Sequence, residues 1–200
     1  MLSYNESLKI LKETNALLDG HFILSSGLHS DRYIQCAKLL SNPDKANIIC
    51  ASLCEKIKSV FTDIDVVLSP ALGGVIVGYE VARQLNCKAF FAERENGNLS
   101  LRRGFRIKPN SNVLIVEDVI TTGKSALECS QLISINKGNL LGFACIIDRS
   151  DSKILIKSKI ISQIKFLINT YKEKDLPENL KKILPYKPGS KNLTKWEKYV

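Results

Sequence analysis

The chain has 200 residues, 44% hydrophobic and 24% charged, which are globular values that suit one domain. No apolar run approaches the length of a membrane span, and the opening MLSYNESLKI is no signal peptide, so a soluble, cytoplasmic protein without a membrane partner is expected. The formal charge of +9 raises nucleic acid as a partner, but the excess lies between Lys153 and Lys198 as single lysines among isoleucines, the pattern of a solvated face. A positive field also draws multiply charged small anions, and these, not nucleic acid, are the expected partners. The six cysteines (Cys36, Cys50, Cys54, Cys87, Cys129, Cys145) form no CxxC pair and sit in apolar settings, which reads as reduced core thiols.

Residues 4–19 read as a helix with Leu8, Leu11 and Leu18 on one side. GHFILSSGLHSDRYIQC, residues 20–36, alternates enough to be extended, and its composition is that of a polar hairpin. Its two histidines, His21 and His29, stand eight apart without a nearby cysteine, a weak metal pattern that favours surface or hood positions. Asn42-Pro43 is a helix start, cap then first turn, and Ile49, Leu53, Ile57 and Val60 form the buried stripe.

Asp65 to Leu68 is a short strand. It runs into Ser69-Pro70-Ala71-Leu72-Gly73-Gly74, then into a helix through Val81 and Leu85. The N–H groups of such a turn can cradle a phosphate. Lys88 to Ala92 is the next strand. It opens into residues 93–110, long for a connection and carrying Arg94, Arg102, Arg103 and Arg106 without an apolar stripe. That segment is expected to be disordered or a mobile lid.

VLIVEDVITTGKS, Val113 to Ser125, carries the chemistry. Val113 to Val116 read as a buried strand, Glu117 and Asp118 follow, then Val119-Ile120 and the small-residue turn Thr121-Thr122-Gly123-Lys124-Ser125. Ala126, Cys129 and Ile133 then take helical spacing to about Asn136. The helix N-terminus suits a phosphate, hydroxyls on Thr121, Thr122 and Ser125 add donors, and Gly123 lets the backbone come close. Two acids would repel a bare phosphate. They fit a ligand with hydroxyls to donate or a bound cation, such as a ribose 5-phosphate. The rival is a P-loop, since the turn ends in Gly-Lys-Ser, but that loop needs a glycine where Asp118 stands. A plain strand-to-helix turn with surface acids is the other alternative.

Leu140 to Ile147 is a further strand, closing on Asp148-Arg149. An arginine there lies where open α/β sheets bind ligands. Residues 153–170 alternate as short strands, and Pro177 opens a last short helix. Strand and helix alternate from about 42 to 148, so the core is a mostly parallel α/β sheet flanked by helices.

The stretch VEDVITTGKS resembles the phosphoribosyl pyrophosphate (PRPP) signature of type I phosphoribosyltransferases. Phe22, Leu24, Ser26, Gly27, Ser30 and Tyr33 resemble the N-terminal signature of the orotate phosphoribosyltransferase family. The resemblance covers nearly the whole chain. It implies one phosphoribosyltransferase domain over 1–200, with a core at about 42–148 and a small hood from about 1–40 and 150–200. It implies transfer of the ribosyl 5-phosphate group from PRPP to orotate, giving orotidine 5′-monophosphate and pyrophosphate on the route to UMP.

The implied roles follow residue by residue. Glu117 and Asp118 hold the ribose, Thr121 to Ser125 hold the 5-phosphate, Val119 and Ile120 between them belong to the same PRPP-binding stretch, and Ala71, Leu72, Gly73 and Gly74 hold pyrophosphate, with a cis peptide falling at Ala71-Leu72. Thr121, Arg149, Ser26 and Gly27 meet orotate. Arg94, Arg102 and Arg103 join Asp118 as catalytic residues, on a shorter form of the family's flexible loop. Mg²⁺ would be held mainly by PRPP, without a protein metal site, and a homodimer would share its active sites. Long-loop relatives carry lysines where Ser25 and Gly73 stand. Their absence leaves open a PRPP-binding regulator without activity; the other alternative, a phosphoribosyltransferase for another base, is opposed by Arg149 and the Ser-Ser-Gly segment.

Overall fold

The structure is a computed structural model and describes residues 1–24, 26–152 and 154–188. Two compact units divide it: Met1–Ala16 with Cys36–Leu167, and Leu17–Gln35 with Ile168–Val200. The smaller unit is thus drawn more narrowly than the hood expected from 1–40 and 150–200.

The larger unit holds a six-stranded sheet. Its strands are β3 (Val66–Pro70), β4 (Lys88–Glu95), β5 (Asn98–Leu101), β6 (Asn112–Ile120), β7 (Asn139–Asp148) and β8 (Ile160–Lys165). The spatial order is β5-β4-β3-β6-β7-β8, parallel throughout except for the antiparallel β4–β5 pair. The helices are α1 (Tyr4–Glu13), α2 (Cys36–Leu40), α3 (Pro43–Lys58), α4 (Gly73–Leu85) and α5 (Lys124–Ile135). The core runs through the central strands, where Val67, Leu68, Leu114, Ile115, Val116 and Ile146 have no exposed surface. Strands covered on both faces read as unbroken apolar runs, which is why Val113 to Val116 announced itself.

Several expectations change. The first helix stops at Glu13: Thr14 caps it, Asn15 takes a φ of 54°, and Leu18 belongs to a strand. Its buried face is Ser7, Ile10 and Leu11. Val60 lies beyond the end of α3 and is exposed. Residues 160–165, expected in the hood, pair with β7 as the sheet's last strand. Residues 93–110 are neither structureless nor without apolar anchors. They form the β4–β5 hairpin, Leu99 and Ile107 are buried in the core, and Phe105 stacks on Phe90 with ring centroids 4.8 Å apart.

The smaller unit holds β1 (Leu17–Ile23), β2 (His29–Ile34) and β9 (Thr170–Tyr171) in an antiparallel sheet of order β1-β2-β9, with α6 (Glu178–Lys181). The backbone at Tyr186 bonds both ways with β1: it donates to the His21 carbonyl at 2.8 Å and accepts from Ile23 at 2.8 Å. His21 and His29 lie in this smaller unit and are buried there, and His21 Nε2 lies 2.7 Å from His29 Nδ1. His21 Nδ1 is 2.8 Å from the Ile183 carbonyl oxygen, so that nitrogen carries a proton and donates. Residues 189–200 lie outside the described residues, as does Ser25.

Candidate functional site

In this sheet the chain leaves β3 in one direction, toward β4 and β5, and leaves β6 in the other, toward β7 and β8. The boundary between β3 and β6 is therefore the topological switch point, and open α/β sheets take ligands at the carboxyl ends of the strands there. A cleft of about 240 Å³ lies at that place. Pro70, Ala71, Gly73 and Gly74 line it from the end of β3, and Glu117, Asp118, Val119 and Thr121 to Ser125 from the end of β6. Two strand–turn–helix units far apart in sequence thus meet because their strands are neighbours.

Adjacent strand residues point to opposite faces, and the two acids do so. Asp118 faces α4: a Cβ built on Gly73 would sit 2.8 Å from both of its carboxylate oxygens. Glu117 lies on the α5 side, where its charge helps push up the Cys129 thiol. Both still line the cleft, because β6 ends just beyond them. Glu117 is 8% exposed, and burial, then the neighbouring Asp118 charge, raises its pKa to about 7. Burial also raises that of Asp118. Two carboxyls kept from water this way are poised to accept donors from a ligand, since hydroxyls restore what desolvation removed.

The phosphate side is backbone. Gly123 opens α5 at a φ of 78°, a left-handed conformation natural to glycine, and no side chain caps the helix. The first N–H, of Lys124, reaches the Thr122 hydroxyl at 3.4 Å, and those after it have no side-chain cap. At α4 the N-cap is Leu72, again without a side-chain cap, and the peptide Ala71-Leu72 is cis, as the resemblance implied. A segment that no local pattern flagged buttresses the α5 turn. Leu155 donates its N–H to the Thr122 carbonyl at 2.9 Å, and a Cβ on Gly123 would meet Ile156 at 2.7 Å. These residues stand some thirty positions downstream, so their role has no signal in the sequence.

The Phosphoribosyl transferase domain family matches residues 37–174. The orotate phosphoribosyltransferase of Caldicellulosiruptor saccharolyticus is 46% identical over 93% of this chain and 96% of its own length. The Caldicellulosiruptor bescii protein of the same name is 45% identical over 92% and 96%. This chain belongs to the orotate phosphoribosyltransferase family. Solved structures agree on the fold. Orotate phosphoribosyltransferase from Aeropyrum pernix superposes with a TM-score of 0.68 at 22% identity, over 79% of this chain and 92% of that one. An adenine phosphoribosyltransferase superposes at 0.65 and 16%, over 81% and 100%. Fold alone thus does not choose the base.

The remaining predicted residues divide. Arg149 is brought to the cleft's end of the sheet: its N–H donates to the Ile120 carbonyl at 2.8 Å, beside Thr121. Its guanidinium Nε is buried with no hydrogen-bond partner among the described residues, and burial pushes its pKa down. The hairpin arginines are not brought to the acids. Arg94 pairs with Glu128 of α5 at 2.9 Å and donates to the Gly97 carbonyl. Arg103 makes a two-pronged pair with Glu93 at 2.8 Å, and Arg102 lies 3.9 Å from Glu95. Pro70 and Glu128 are residues the sequence did not single out. Ser26 and Gly27 belong to the smaller unit, where the Ser26 hydroxyl accepts from Leu28 N–H at 3.4 Å and Gly27 has a φ of 80°.

Among the described residues no group of three or more His, Cys, Asp or Glu is placed to hold a metal ion. Nor is any helix there long and apolar enough to cross a membrane.

Proposed function

We propose that this chain is an orotate phosphoribosyltransferase, joining orotate to the ribosyl 5-phosphate group of PRPP with release of pyrophosphate, in de novo UMP synthesis. The observation that carries the reading is one cleft lined by both Glu117–Asp118 and the uncapped start of α5. The two carboxylates accept the ribose hydroxyls, while N–H groups and hydroxyls of Thr121 to Ser125, with the Lys124 charge, bind the 5-phosphate. Pyrophosphate lies on Ala71 to Gly74 at the start of α4.

Arg149 and Thr121 orient the base. The unpartnered Nε of Arg149 supports this, because a guanidinium fork matches a carboxylate such as that of orotate. Arg94, Arg102 and Arg103 reach the pyrophosphate only if the hairpin exchanges its present carboxylate partners for the substrate. Catalysis is electrostatic: backbone N–H groups, joined by the hairpin arginines once these leave their carboxylates, stabilise charge on the leaving pyrophosphate while the ribose carries positive charge beside Asp118.

Mg²⁺ is the cofactor of this reading, carried in mainly on PRPP as magnesium commonly is. It would supply charge neutralisation on the pyrophosphate. A homodimer is supported by Leu72, Ile76 and Tyr79, which are 86%, 54% and 64% exposed at helical spacing along the cleft-side start of α4. A cytoplasmic setting agrees with six free cysteines.

The test is orotate depletion with PRPP and Mg²⁺, with uracil, hypoxanthine and adenine as competitors. Loss of orotate matched by pyrophosphate release supports the reading. Consumption of another base, or PRPP binding without turnover, refutes it.

A further inference from the structure

We propose a second anion site at the opposite end of the sheet, a basic pocket for a small polyphosphate. It rests on geometry separate from the proposed activity. The cleft lies where β3 and β6 end; this pocket, of about 330 Å³, lies where β3 and β4 begin. Lys88, the first residue of β4, lines it together with Arg106 and Lys108.

The sequence explains why three cations gather there. Ile107 is buried in the core, 4% exposed, and anchors the chain between Arg106 and Lys108, both of which stay exposed and line the pocket. The segment is then fixed on its far side. Asn110 N–H donates to the Lys137 carbonyl at 2.8 Å, the Asn139 amide donates to the Asn110 carbonyl at 3.1 Å, and Ser111 accepts from Asn139 N–H at 2.8 Å. The cations are thus set by a held backbone.

Their charges are not matched. Arg83, Arg94, Arg102 and Arg103 each have a carboxylate partner, whereas among the described residues Lys88, Arg106 and Lys108 have none. The pocket's one acid, Asp65, accepts the Asn112 N–H at 2.8 Å. Three positive groups around one carboxylate repel one another, and an anion with several oxygens relieves this. The arginine fork and two lysine point charges suit phosphoryl groups. The volume, at the lower end of small-molecule sites, accommodates a chain of phosphates with a nucleoside attached. Phe90 gives that pocket an aromatic wall.

The experiment is calorimetric titration of the full chain with inorganic tripolyphosphate, with ATP and with adenosine. The cleft also takes phosphates, so the readout is the difference between the wild type and K88A/R106A/K108A. A control, K9A/K38A/K182A, removes the same charge from exposed lysines elsewhere. Two binding events in the wild type and the control, with one of them weakened at least tenfold in the pocket variant, are expected. Adenosine alone should not bind there. Equal affinity for tripolyphosphate and ATP assigns the site to the phosphate chain; tighter ATP binding adds the Phe90 wall. A single event per wild-type chain, or identical titrations for the two variants, overturns the proposal. So does tighter binding of a single-stranded oligonucleotide than of either polyphosphate. Turnover of orotate by the pocket variant is a separate readout, so failure of this site and failure of the proposed activity are distinguishable.

Discussion

Helices α1 and α3 begin differently from α4 and α5. Ser3 accepts from Glu6 N–H while Glu6 accepts from Ser3 N–H, a reciprocal cap on α1, and Asn42 accepts from Lys45 N–H at the start of α3. The two helices that start at the cleft have Leu72 and Gly123 in the capping position, with no side-chain cap. A cap satisfies N–H groups from within the chain; its absence leaves them for a ligand. The same division holds for charge. Glu80 and Glu93, away from the cleft, have their pKa values lowered by arginine hydrogen bonds, whereas Glu117 and Asp118 are raised by burial. At the cleft the helix starts go without the side-chain caps of α1 and α3, and the acids go without the arginine partners of Glu80 and Glu93.

Four substitutions would break or sharpen this contrast. Asp118→Asn should lower turnover about 100-fold or more, the scale of losing a transition-state contact, with the circular dichroism unchanged. Steady-state rates decide it, and an unaffected variant would refute the assigned role.

Glu117→Gln should raise the stability of the ligand-free protein while weakening PRPP binding. The carboxyl titrates near 4.5 when unfolded and at about 7 when folded, so the wild type loses stability as pH rises between those values. The advantage of the variant should be absent below pH ~4.5 and reach about 3 kcal/mol above pH ~7. Urea denaturation at pH 4.5 and pH 8 tests the sign; a constant gap would show that burial of the charge is not the cause.

Gly73→Ala places a Cβ against Asp118 and should cost on the order of 10-fold in kcat/KM, with the melting temperature little changed. Measured kinetics equal to the wild type would mean that Asp118 tolerates displacement. The smallest effect belongs to the capped helices: Asn42→Ala should cost about 1 kcal/mol by denaturant titration and leave KM for PRPP unchanged.

The β6 side of the cleft was legible because its residues are contiguous. A buried run, two acids and a glycine turn occupy Val113 to Ser125, and the pattern alone fixes strand, turn and helix start. The hairpin was not legible. Leu99, Phe105 and Ile107 are spread too thinly among arginines to make a periodic stripe, and their partners, Phe90 among them, lie on other elements. The first helix ran long because leucines continue past it, while the breaker is a backbone event, Asn15 in left-handed conformation. The alternation at Ile160 to Lys165 predicted a strand, but a period of two says nothing about which sheet it joins.

By itself the sequence determined the chemistry at the end of β6 and the alternation of strand and helix, since both depend on neighbours along the chain. Only the tertiary structure decided that β3 lies beside β6, that a side chain at Gly73 would meet Asp118, that Ile156 backs Gly123, and that Arg94 rests on Glu128. Those are contacts across tens of residues. They follow from which buried faces close on one another, a collective outcome of packing that no short stretch of residues encodes.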